Sequence, residues 1–109
     1  MNAEEFKETI MKQTKEYKHF LKINDYENNP YYSFDIKMKQ YHTMEDYMEL
    51  TIDNVVFICH EIGFNGFTDE LQIIDKYSSL NGMTIVRVKK VSEIKNVKLY
   101  MDKKRLILA

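Results

Sequence analysis

The chain has 109 residues, 44% apolar, 13% aromatic and 30% charged, the composition of one folded domain and not of a disordered tail. A single cysteine, Cys59, excludes an internal disulfide, and no apolar run approaches the roughly 18–20 residues that span a bilayer. The formal charge is −1, but residues 30–86 carry nine acids against three bases while 87–109 carry eight bases against two acids. Sorting of this kind bears on partners and solubility more than on fold.

Only two of the sixteen basic residues are arginine, and Lys, Ile, Asn and Tyr are abundant, a bias that AT-rich codons produce. A low-GC bacterium or its phage is the source this suggests. The start MNAEEFKETI is acidic and amphipathic, unlike a signal peptide, so a cytoplasmic location with no membrane partner is expected.

In chain order, the first element reads as a helix over residues 1–24. Asn2 caps it, Glu5 completes a capping box, and Phe6, Ile10, Tyr17 and Phe20 or Leu21 form one apolar stripe. Fraying is expected near Ile23–Asn24, followed by a polar linker from Asp25 to Pro30. Beyond Pro30 the period changes to two. Phe34, Ile36 and Met38 alternate with polar residues in 31–41, the pattern of a half-buried strand.

Residues 43–62 admit two readings. Met48, Leu50 and Ile52 alternate with Glu49, Thr51 and Asp53, and Asp53–Asn54 can turn the chain into a strand from Val55 to Ile62. The same stretch also places Met44, Met48, Ile52, Val55, Cys59 and Ile62 on one helical stripe ending at Gly63. The density of β-branched residues favours strands. A loop is expected over Phe64–Thr68 and a strand over Leu71–Asp75, with a short helix from Asp69 to Leu80 as the alternative. Asn81–Gly82 gives a strong turn signal. Met83–Val88 reads as a strand, and Val97–Met101 with Arg105–Leu108 as a terminal hairpin turned at Asp102–Lys104.

The expected fold is therefore α+β and mainly antiparallel. An N-terminal helix packs on a sheet or small barrel of about five to seven strands within a single domain, the sheet occupying 31–109. The helical reading of 43–62 gives instead a β-α-α-β-β-β order after the first helix. From Val55 to Ile94, the sequence of strand, loop, Leu71–Asp75, turn, Met83–Val88 and Val91–Ile94 resembles the Sm-like and SH3-like small barrels. It is also similar to the YolD-like proteins of low-GC bacteria, in which a helical part precedes such a sheet. The resemblance implies a non-enzymatic adaptor or a nucleic-acid-associated module.

Motifs for chemistry are scarce. Cys59, His60 and Glu61 are the one cluster of metal-capable types, but zinc needs about four converging ligands, and adjacent strand residues point to opposite faces. The ordinary reading is a buried cysteine beside an edge histidine. No phosphate loop, nucleophile elbow or His-x-x-x-His pair occurs. No catalytic residue, cofactor or metal site is therefore assigned.

The β-α-α-β-β-β order is that of RelE-type ribonuclease toxins, whose last strands would here offer Arg87, Tyr100 and Arg105. Otherwise the candidate contact residues are Arg87, Lys89, Lys98, Tyr100, Lys103 and Arg105, cations and an aromatic on the last strands. Such a set suits single-stranded nucleic acid or an acidic protein surface. The favoured expectation is a non-enzymatic protein that docks on a protein partner or on itself, with nucleic-acid binding as the alternative.

Overall fold

The computed structural model describes residues 1–26, 31–40, 46–76 and 84–104. Helix α1 spans Ala3–Thr14. The Asn2 side chain accepts the Glu5 N–H at 2.8 Å, and Glu5 Oε1 accepts the Asn2 N–H at 3.5 Å. This is the reciprocal box that satisfies two orphan donors of the first turn. Phe6, Ile10 and Thr14 are buried along one face, and a 3-10 turn at Lys15–Tyr17 buries Tyr17.

Here the expected helix stops short, because Leu21–Asp25 is strand β1. It runs antiparallel to β2, Phe34–Met38, with Leu21 opposite Met38 and Asp25 opposite Phe34. Leu21 fits the helical stripe, and with Ile23 it also fits a period of two. The neighbouring strand supplies backbone partners that local propensity does not foresee.

From Met48 on, the ambiguous middle forms strands: β3 Met48–Ile52, β4 Val55–Cys59 and β5 Glu61–Asn65, followed by β6 Glu70–Asp75. Asp53 and Asn54 both take positive φ, 47° and 71°, the two-residue hairpin geometry that Asp and Asn tolerate best after glycine. The β-α-α-β-β-β alternative and its helix at Asp69–Leu80 are thereby overturned, and the ribonuclease reading loses its topology. β7, Ile85–Lys90, precedes a 3-10 turn at Val91–Glu93, and β8 is Val97–Tyr100.

All strand pairs are antiparallel, in a five-stranded sheet β1-β2-β5-β6-β7 and a three-stranded sheet β4-β3-β8 that do not close into a barrel. The eight strands among the described residues exceed the expected number because β1 was hidden in the helix pattern and the expected strand Val55–Ile62 is divided at His60. β8 pairs with β3, and Lys103–Lys104 are helical, so the expected turn at Asp102–Lys104 is absent. Arg105–Leu108 and Asn81–Gly82 lie outside the described residues.

The helix bridges the two sheets. Phe6 stacks on Phe34 and Phe64 of the larger sheet, the three ring centroids lying 5.5–5.9 Å apart. On the smaller sheet, Gln13 binds the outer edge of β8: its Nε2 donates to Val97 O at 3.3 Å and its Oε1 accepts the Leu99 N–H at 2.5 Å. One amide side chain thus takes the place of a neighbouring strand.

Carboxylates tie down the loops. Asp53 accepts the backbone N–H groups of Lys95 and Asn96, and Asp69 accepts that of Ser92. The turn after β5 lies so close to the chain before β2 that a Cβ on Gly66 would sit 1.9 Å from Tyr32 O, which only glycine permits.

Candidate functional site

His60 is the joint where the chain leaves one sheet for the other. Its N–H donates to Ile74 O at 2.7 Å and its carbonyl accepts the Met38 N–H at 3.1 Å, so both sheet neighbours, β6 and β2, hold it. The change of sheet also cancels strict alternation. Cys59 completes the inner face of β4 while His60 faces inward beside β6, and both are fully buried. His60 is therefore not the expected edge histidine.

Its Nδ1 accepts the Lys76 N–H at 3.1 Å and lies 3.7 Å from Asp75 Oδ1. Burial lowers the imidazole pKa, opposed by Asp75 and Asp46, so the ring is held neutral. Burial, reinforced by Asp75, pushes the Cys59 thiol up to about 12, the opposite of what a nucleophile or thiolate ligand needs. Glu61 points away and pairs with Lys76. Among the described residues, no group of three or more His, Cys, Asp or Glu side chains is placed to hold a metal ion. No helix among them is long and apolar enough to cross a membrane.

The sequence-derived contact residues are dispersed. Arg87 and Lys89 share the inner face of β7, opposite Ile73 and Leu71 of β6. Lys98 and Tyr100 lie on the outer face of the smaller sheet, opposite Thr51 and Glu49. Lys103 reaches Glu16 at 3.4 Å and the Tyr17 ring at 5.8 Å, beside the helix. Arg105 lies outside the described residues. Three locations result where one surface was expected.

Among the described residues, no base of the C-terminal block forms an ion pair with an acid of the middle block; Lys90 and Glu70 are register neighbours only. Among the described residues, the sorted charge is thus not consumed by pairing between the two blocks.

A different feature brings part of this set together. β4 is an edge of the smaller sheet and β7 an edge of the larger one, and no other described strand pairs with either on its open side. They face each other across a groove of about 530 Å³, walled by residues 55–58 and by Ile85 and Arg87, with Ile73 and Asp75 of β6 as its floor. At one end Lys89 Nζ stands 5.4 Å over the Phe57 ring, and beyond it the space between β4 and β7 continues to Ile52 and Ile94.

Val55, Val56, Val86 and Val88 are each about half exposed, and Ile58 is exposed as well. Long apolar strand edges of this kind are what soluble proteins ordinarily blunt. The edge of β8 is closed by Gln13, and that of β1 carries Lys22 and Asp25, whereas β4 carries no charge at all. Sequence reasoning missed β4 as a contact element. Its run VVFIC has the signature of a buried strand, and only the sheet order reveals that its neighbour is missing.

No family model, curated protein or solved structure matches the chain.

Proposed function

We propose that the chain is a non-enzymatic interaction protein of a bacterial or phage cytoplasm, docking on a protein partner through its open strand edges. The observation that carries this reading is the groove between β4 and β7. It combines two backbone edges that no other described strand pairs, exposed Val55, Val56 and Ile58 on the β4 wall, and Ile85 with the cationic Arg87 on the β7 wall. Strand edges and apolar patches are surfaces that proteins use to recognise other chains.

The order from Met48 to Tyr100 adds support: strand, strand broken at His60, two more strands, a 3-10 turn, then a last strand returning beside the first. That arrangement resembles an opened form of the small barrels named above, a likeness of fold that does not by itself specify activity. Nucleic-acid binding has less support, since Arg87 and Lys89 are separated from Lys98 and Tyr100 by a change of sheet and Lys103 is engaged by Glu16.

The test is photo-crosslinking in the host cell from a benzoylphenylalanine placed at Val56 or Ile85, with exposed Lys12 of the helix as the control position. The reading predicts a discrete protein adduct from the two groove positions and none from Lys12. Equal labelling from all three, or none, would count against it. Gel retardation with single-stranded RNA and DNA should show no binding at physiological salt.

A further inference from the structure

We infer that the groove accepts an extended, acidic segment of the partner as an added β-strand along the open edge of β7, its carboxylate held by Arg87. This rests on the docking reading above and specifies the occupant.

The backbone supplies the first argument. β7 is hydrogen-bonded along its length to β6, from Glu70 opposite Lys90 to Asp75 opposite Ile85, and among the described residues no strand lies on its other side. A six-residue edge offers backbone donors and acceptors at every second residue, about three of each kind of position. An incoming strand would also face the second open edge, β4, across the groove.

Side chains supply the second. Ile85 and Arg87 share the inner face of β7, and both line the groove with Val55, Ile58 and Ile73. Arg87 is exposed and makes no ion pair among the described residues, while Lys89 rests over Phe57 and Lys90 Nζ donates to Thr68 O at 2.8 Å. Arg87 is thus the groove cation left available, with a planar fork suited to two-point capture of a carboxylate. Apolar side chains flanking that carboxylate would cover the valine and isoleucine walls.

Charge selects between occupants. Pairing β7 with the β7 of a second copy would gather six cations and no acid on two adjacent strands, which disfavours it, and β4 has no acid to compensate. An acidic strand reverses the sign of every one of those terms.

The experiment is an NMR titration of the isotope-labelled full chain with the capped synthetic peptide Thr-Val-Thr-Glu-Thr-Val-Thr, one face of which reads valine, glutamate, valine when extended. Controls are the same peptide with lysine in place of glutamate and a backbone N-methylated form of the glutamate peptide. The expected result is shift changes and exchange protection at amides of 85–90 and 55–58, in a protein that stays monomeric by sedimentation. Arg87→Glu should weaken binding by about tenfold or more, and Arg87→Lys by less, because it keeps charge but not the fork. Arg87→Gln keeps the test open if charge reversal unfolds the sheet.

Unchanged amides at millimolar peptide, or equal binding of the lysine or N-methylated peptide, would overturn the inference. So would a dimer, or a single-stranded oligonucleotide, protecting the same amides. Crosslinking from Val56 and Ile85 together with a silent titration would leave protein docking standing and remove strand addition; silence in both would remove both.

Discussion

Gln13→Ala tests how the fold keeps one strand edge closed. The substitution removes the acceptor of the Leu99 N–H and the donor to Val97 O, both partly buried. A net hydrogen bond contributes about 0.5–1.5 kcal/mol, and an unsatisfied buried partner costs about 1–3 kcal/mol. Water has partial access here, so the sum belongs at the lower end, about 1–3 kcal/mol, with a few tenths returned by the better helix propensity of alanine. For a domain of this size that is a fall in Tm of roughly 5–15 °C.

Thermal and urea melts of Gln13→Ala, Gln13→Glu and the parent chain measure it. Glutamate retains the acceptor for Leu99 N–H but sets a carboxylate against Val97 O, so it should be destabilised as well. Hydrogen exchange at Leu99 should accelerate in the alanine variant and less in the glutamate one. A change under about 0.5 kcal/mol for Gln13→Ala, no larger than that of an ordinary surface substitution, would refute the idea that this amide substitutes for a strand.

Two further outcomes follow from the buried joint between the sheets. Cys59, fully buried with its thiol pKa pushed up to about 12, should not react with Ellman's reagent in native protein at pH 8 and should titrate fully in guanidinium; native-state reaction at the rate of a free thiol would contradict its placement. The lowered pKa of His60 means the unfolded chain binds a proton that the folded one refuses. Stability should therefore fall as pH drops below the ordinary histidine value of 6.5, by at most about 1.4 kcal/mol per unit from this residue. His60→Gln should flatten that part of the profile in urea melts between pH 5 and 8, and an unchanged slope would show that other groups set it.

Local sequence carried much of the fold. The capping box at Asn2 and Glu5 was legible because both halves lie within one helical turn. The alternation in Phe34–Met38 and Met48–Ile52 was legible because one face of each strand is buried and the other is not. The Asp53–Asn54 turn was legible as well, since positive φ at two adjacent positions selects residues of that kind.

Leu21–Asp25 was misread because Leu21 continues the helical stripe while also starting a period of two with Ile23, and only β2, paired from outside the segment, decides between them. His60 was misread because alternation presumes one continuous sheet, and here the chain changes sheets between two residues. The candidate site was the least legible part. Composition and periodicity record which side chains avoid water, so they identified the strands and the basic block that ends the chain. Whether β4 and β7 have neighbours depends on backbone pairing between segments far apart in sequence, and pairing leaves no periodic mark on either strand. The residue pattern alone thus determined a small, mainly antiparallel α+β domain with sorted charge. The tertiary structure alone decided that β4 and β7 face each other with no other described strand on their open sides, and with Arg87 on the rim between them.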